Sequence, residues 1–481
     1  MNKKLVKTLS AFLAGTMVLA GASCAKKGDG KIKWVIPATL SGDGQEAVFE
    51  KVNEILKEKY DLELDLIAIP SADFDQKLTA MNAAREEYDI VYTAHWKNNY
   101  YANVSNGNLI ELTEDMLKEY APKTYEFLDD AAWDATRVDG KIYAVPNWQM
   151  MTRATGLYLP TEYVELTGVN AAEIKDFDGL TDYMRKLHAK KPEVNEVGPM
   201  WTQAITHYNL VDVYEEKMPG VIDFTKEGKP VVFNQYESDI FEDYVAMRND
   251  WIKEGLVTDV YNPDSKAAKK EFKTAYFTGG QYSPMGESTV EASHEYDFTA
   301  VQFSPIVMAP TGVTAALSGI SSTSKQPEKA LQMIEIMNND PEIFNLIAYG
   351  IEGVDYDKIS DNIIKLREDK KYTGPSLFTM ASMGNAYLTD EKFPNIIEDM
   401  DAHNKKAVVS PLMGFNANTD SLQVQIANCR TVVNKYLDML DRGIHGEKEL
   451  KEFQQELKKA GVDEIIAEVQ RQIDEWWAKN N

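Results

Sequence analysis

The chain has 481 residues, 44% of them hydrophobic and 26% charged, with two cysteines and a formal net charge of −25. That length and apolar content can bury a core without disulfide staples, and suit two domains rather than one. So acidic a surface repels phosphate backbones and argues against a nucleic-acid partner. Six scattered histidines, with no HExxH and no paired cysteines, argue against a structural zinc site.

Residues 1–24 read as an export signal rather than as part of the fold. Lys3, Lys4 and Lys7 precede an apolar run of about 13 residues, the length of a signal-peptide core. A membrane span takes about 20 residues. Gly21-Ala22-Ser23 before Cys24 resembles the lipobox of bacterial lipoproteins, in which the peptide is cleaved before a diacylglycerol-bearing cysteine. The match departs at Gly21, where leucine is usual, and an ordinary secretory signal is the alternative. If Cys24 carries lipid, Cys429 stands alone and no intramolecular disulfide exists. No other stretch approaches a span, so the mature chain is expected to be soluble and held at the membrane by lipid only.

Residues 31–37 (KIKWVIP) read as a strand, and 38–44 (ATLSGDG) as a glycine-containing loop. A helix is predicted over about 45–60, with Phe49, Val52 and Leu56 on one face. Residues 62–69 alternate as a strand ended by Pro70, Phe74, Leu78 and Met81 stripe a short helix, and 88–93 (YDIVYT) form the next strand. This order predicts a parallel-type sheet with helical crossovers, in which ligands sit at the carboxyl ends of strands. Two loops occupy those ends, 38–44 and 94–101 (AHWKNNYY). The second packs aromatic rings, amides and a lysine into eight residues. Rings stack on the C–H face of a sugar while amides and charges bond its hydroxyls; the alternative is that Trp96 and Tyr100 are lid or core residues.

Residues 138–157 (VDGKIYAVPNWQMMTRATGL) divide the chain. Asp139-Gly140 is a turn dipeptide, 141–145 alternates as a strand, and Pro146 takes it out of its sheet. Residues 298–324 are expected to carry the chain back, so two crossings leave a cleft between two lobes. Between them, Leu180, Met184 and Leu187 stripe a helix, Trp201 faces either cleft or core, and Trp251 shares a helical face with Tyr244 and Met247 as core. Residues 277–288 form a glycine-rich turn without a Walker lysine. Ser324 is placed to cap a helix from Pro327, which Asn338-Asn339-Asp340-Pro341 stops. Residues 349–356 and 410–418 are further glycine-bearing loops, and from Glu447 two striped helices close the chain, parted by Gly461.

DIVYTAHW followed by NGNLIEL, then GKIYAVPN and GISSTSKQPEKALQMIEIM, resemble the extracellular solute-binding proteins of ABC transporters, closest to the carbohydrate-type branch called family 1. The ending FQQELKKAGVDEIIAEVQRQIDEWW is similar to a lipoprotein subgroup carrying the domain of unknown function DUF3502. The resemblance implies an α/β fold of two periplasmic-binding-protein-like lobes with crossing hinge strands and a helical C-terminal extension. It places 31–145 plus 298–340 in the first lobe and 146–297 plus 341–481 in the second. Matching ligand-loop positions are Thr39, Ser41 and Gly42, then His95, Trp96 and Lys97, with Asn147 and Trp148 at the crossing. Glu287 and Glu352 correspond more weakly, in glycine-rich loops. The implied protein is a monomeric receptor at the extracytoplasmic face of the cell membrane, without cofactor, metal or catalytic residue, delivering an oligosaccharide to an ABC permease.

Two other classes compete. A secreted glycoside hydrolase would use the same aromatics, but needs two carboxylates about 5–9 Å apart, and context singles out none. A receptor of the same fold for a peptide or an amine is the other. An esterase would want a GxSxG elbow, which is absent from the sequence.

Overall fold

Short apolar strands and amphipathic helices from Ile32 to Pro146 begin the first of two large apolar cores in the computed structural model, which describes residues 30–195, 198–262, 264, 273–279, 282, 297–389 and 394–480. Residues 1–31 separate as one unit and 32–481 as another; the expected signal and Cys24 lie outside the described residues.

The first core is built on a five-stranded sheet in the order Leu64–Ile69, Ile32–Pro37, Ile90–Thr93, Leu317–Ile320, Ala144–Pro146. The first three strands run parallel, with Trp34 beside both Leu66 and Ile90, and Leu317–Ile320 runs antiparallel to both its neighbours. Ile90–Thr93 is buried throughout, as a central strand covered on both faces must be. Helix Gln45–Tyr60 buries Val48, Val52 and Leu56, one every four residues, with Phe49 packed at their edge. Each such side chain contributes about 2 kcal/mol of transfer free energy. Asp61, at φ 53°, turns the chain out of this helix, its N–H bonding the Lys57 carbonyl and the following Leu62 N–H the Leu56 carbonyl.

Ser324 does not cap the helix Pro327–Asn339. Its hydroxyl donates to Asp89 Oδ1 at 2.5 Å, and the buried Asp89 also accepts from the Lys33 N–H at 2.9 Å. The Ser324 oxygen accepts from the Gln326 N–H at 3.2 Å, and Gln326 itself occupies the cap position of the helix, so Ser324 stands two positions short of it. Asp340 ends that helix and caps the next, Pro341–Tyr349, accepting from the N–H groups of Glu342 and Ile343.

The second core gathers the antiparallel sheet Phe277–Gly279, Gly156–Pro160, Phe298–Gln302, the helices Phe177–Lys190 and Asp239–Lys253, and three closing helices, Gln423–Asp441, Glu447–Ala460 and Val462–Asn480. Trp201 and Trp251 are both core residues; the Trp201 ring packs against Tyr208, Phe241 and Tyr244. Buried Asp441 fastens the closing helices to this core, accepting from the N–H groups of Met200 and Trp201 and from the Tyr244 hydroxyl.

The chain crosses between the cores three times rather than twice. Thr152–Arg153, Val307–Met308 and Val408–Val409 pair as one small sheet, with Val307–Met308 in the middle. The Asn404 side chain bonds the N–H of Met151 and the carbonyl of Gln149, tying the third crossing to the first. The expectation that 341–481 lies wholly in the second lobe therefore differs from the structure. Ile343, Phe344, Ile347, Tyr372, Met380 and Met400 all join the first core. The physical reason is at Asp340, which holds Lys59 and Tyr60 of the first lobe at 3.1 and 2.8 Å and so keeps the following helix there.

Candidate functional site

Both loops at the carboxyl ends of the parallel strands are held by hydrogen bonds, by different means. In 38–44 the restraint is backbone: Ser41 and Thr373 exchange N–H···O bonds of 3.3 and 3.0 Å, and the Gly44 N–H donates to the Lys371 carbonyl at 2.8 Å. Gly42 sits at φ +94°, where a Cβ would lie 2.0 Å from the Lys371 oxygen, so only glycine fits. Thr39 and Ser41 remain exposed beside it.

In 94–99 side chains carry the restraint. Asn98 takes a left-handed conformation, φ 45°, and its side chain bonds the Tyr92 carbonyl. Asn99 caps the helix Tyr100–Ser105. Lys97 reaches back to the Ser71 carbonyl at 3.0 Å and Asp75 at 3.3 Å, and its ammonium stands 5.8 Å from the Trp96 ring centre. Trp96 is 51% exposed, yet its Nε1–H is fixed to the Ala315 carbonyl at 2.9 Å. Tyr100 is buried, its hydroxyl donating to the Thr136 carbonyl. The expected aromatic cluster thus divides, with Trp96 its exposed member.

His95 links this loop to the hinge. Its N–H donates to the Thr314 carbonyl at 2.9 Å, and Thr314 follows the turn Pro310–Val313. That turn lies against the first crossing so closely that a Cβ on Gly312 would meet the Met151 oxygen at 2.3 Å. Two residues on is Arg153, whose Nη1 is 3.6 Å from Asp212 Oδ2 and Nη2 3.3 Å from Glu216 Oε1, both acids of the second lobe. The His95 imidazole feels Arg153 and Glu216 together. A chain of contacts therefore links the exposed Trp96 and half-buried His95, through the fully buried Thr314 and its turn, to Arg153, Asp212 and Glu216 at the hinge.

Burial lowers the His95 pKa, the Thr314 bond opposes that and Arg153 adds to it, so the ring is neutral at pH 7. Burial pushes Asp212 up to about 6 against the pull of Arg153. Its Oδ1 is buried with no hydrogen-bond partner among the described residues.

Of the expected site residues, His95 and Trp96 belong to this chain of contacts. Lys97 belongs to the loop's own bracing. Asn147 and Trp148, expected to line the cleft, are 2% and 5% exposed. Asn147 donates to the Phe378 carbonyl and accepts from Ser318, so its amide is used inside the first lobe. Glu352 pairs with Lys358 at 3.5 Å beside the hairpin Tyr356–Lys358/Ile364–Leu366. Glu287 lies outside the described residues. Sequence reasoning passed over Thr314, Arg153, Asp212 and Glu216. Arg153 had a signal, as the lone strong charge in the second half of the crossing 138–157; Asp212, at the end of the strand Leu210–Asp212, and Glu216, in the turn that follows, had none.

Among the described residues no three His, Cys, Asp or Glu side chains gather to hold a metal ion, and no helix is long and apolar enough to cross a membrane. A groove of about 610 Å³ lies elsewhere, between residues 229–237 and the helix Val462–Asn480. None of the residues above lines it, and the chemistry of the hinge surface outweighs its size.

The profile of the bacterial extracellular solute-binding proteins matches residues 41–342, and that of the domain of unknown function DUF3502 matches 411–478. A "carbohydrate ABC transporter substrate-binding protein" of Streptococcus pneumoniae serotype 4 is 25% identical to this chain, over 98% of it and 96% of the relative. The crystal structure of the N-glycan transport solute binding protein NgtS from Streptococcus pneumoniae, 22% identical, superposes with a TM-score of 0.78 over 94% of this chain and 99% of that one. Over the same shares, NgtS in complex with Man5GlcNAc superposes with a TM-score of 0.64.

Proposed function

The chain belongs to the bacterial extracellular solute-binding proteins, and from that premise we propose that it captures an oligosaccharide between its lobes and hands it to an ABC permease. The observation that carries this reading is Trp96, an indole half exposed to solvent yet locked in orientation by the Ala315 carbonyl. A saccharide offers such a ring its C–H face, and offers the neighbouring His95 and Arg153 its hydroxyls. Thr39 and Ser41 add exposed hydroxyls from the adjoining loop. The names of the relatives, one for carbohydrate and one for N-glycan transport, point the same way.

Capture proceeds by bending at the three paired hinge strands. The solute favours the closed state only by its differential affinity for it, through contacts with both lobes that the open state lacks. The mature chain works at the extracytoplasmic face of the membrane, anchored by a diacylglycerol on Cys24.

The test is a thermal-shift screen of residues 25–481 against mono- and oligosaccharides, peptides and amines. A ligand at about 100 times its Kd adds roughly 2.7 kcal/mol to the folded state, so a saccharide should give a selective, saturable rise in Tm that Trp96→Ala removes. A rise with peptides or amines alone would overturn the substrate class.

A further inference from the structure

The charges at the hinge surface do not balance. Arg153 is one cation between two carboxylates, with Asp212 at 3.6 Å on one terminal nitrogen and Glu216 at 3.3 Å on the other. His95 beside them is neutral at pH 7, for the reason of its burial. On the adjoining loop Lys97 is already paired with Asp75. Thr39, Ser41 and Trp96 carry no charge. At Arg153 itself two carboxylates therefore face one guanidinium, a local surplus of about one negative charge.

Such an arrangement has a direct chemical consequence. A sugar carboxylate is recognised by an arginine fork that closes on it with two parallel N–H···O bonds. Here both terminal nitrogens of Arg153 already face protein carboxylates, and an incoming anion meets the surplus negative charge instead. A hydroxyl meets no such penalty, because it can donate to Glu216 and accept from Arg153 at the same point.

We infer that the solute is a neutral saccharide, and that Arg153 with Asp212 and Glu216 is the element that rejects uronic or otherwise acidic sugars. The inference rests on the carbohydrate reading above. Glu216 is the adjustable member, since its side chain is 56% exposed and its loss leaves no buried charge unpaired. Asp212 is the fixed member, buried and sharing the arginine.

The experiment compares a neutral manno-oligosaccharide with an oligomannuronate of equal length, by calorimetric titration of residues 25–481 at pH 7.5. At about 0.02 M salt the uronate should bind at least about tenfold more weakly, and the gap should narrow at about 0.5 M salt, where the Debye length shrinks. Glu216→Gln should narrow it at low salt by about fivefold, the effect of one charge at close range. Glu447→Gln removes the same charge from the exposed start of the helix Glu447–Ala460 and should leave the ratio unchanged. A uronate that binds as tightly as the neutral sugar at low salt overturns the inference alone. So does a ratio that Glu216→Gln fails to move, or that Glu447→Gln moves as much. Binding of neither sugar, with a thermal shift from peptides or amines, overturns the carbohydrate reading and the inference with it.

Discussion

The two walls that meet at the hinge are built on opposite principles. The first-lobe wall is uncharged: Trp96 and His95 are fixed to the carbonyls of Ala315 and Thr314, and the loop that bears them is braced from behind by Lys97 and Asp75. The second-lobe wall is ionic: Asp212 and Glu216 are held by Arg153, which itself sits on a hinge strand. The first presents a rigid platform whose geometry is complete without the second lobe. The second depends on one shared cation, so its acids and the hinge are energetically a single object.

The comparison breaks most visibly at Arg153. Arg153→Ala should lower unfolding free energy in urea by about 3 kcal/mol, because it leaves buried Asp212 without its cation. A loss below about 1 kcal/mol would mean that the two acids do not rely on it. The pH dependence sharpens the same point. Asp212 binds its proton more tightly in the folded state, at about 6 against an ordinary value near 3.8. The stability it contributes is therefore fully present below that ordinary value and lost as pH rises through about 6. Asp212→Asn lacks this dependence, so its stability relative to the parent should climb by on the order of 2 kcal/mol between pH 4 and pH 7. A flat difference over that range would show that the carboxyl does not titrate there.

On the other wall the effects should fall on binding rather than on folding. Trp96→Ala should weaken saccharide binding by about 2 kcal/mol, roughly thirtyfold, while unfolding changes by less than about 0.5 kcal/mol. Comparable losses in both would make Trp96 a packing residue. Gly42→Ala lies away from both walls and should cost stability, about 1 kcal/mol from the strained φ and more from a Cβ that meets the Lys371 carbonyl at 2.0 Å. It should loosen the pairing of Ser41 with Thr373, read as faster amide exchange at those two residues.

The same contrast explains what could be read in the chain beforehand. The strands Ile32–Pro37, Leu64–Ile69 and Ile90–Thr93 and the helices between them follow local apolar patterns, and the expected strands and helices overlap them. The α/β fold, and the loop carrying His95 and Trp96 at a strand's carboxyl end, follow from those patterns. What was not legible depends on partners far away in sequence. Tyr100 and Trp96 are chemically alike and four residues apart, and only the Thr136 carbonyl, which takes the Tyr100 hydroxyl, separates core from surface. Asn147 is used up by Phe378 and Ser318, more than 170 residues away. The third crossing shows itself as two valines, Val408-Val409, too short for any strand pattern. Residues 341–405 were assigned to the wrong side because their placement turns on Asp340 reaching back to Lys59 and Tyr60.

The third crossing also sets the number of ways the molecule can move. Two bodies joined by a single linker can swivel about three axes, and their spacing is a broad distribution. Joined by three strands hydrogen-bonded side by side, with Asn404 lashing the outer two segments together, they cannot twist without tearing that small sheet. Bending across the sheet is what remains. The path from open to closed is then one-dimensional, like a door on a three-knuckle hinge. Pairs of spin labels across the cleft should report two narrow distances rather than a continuum.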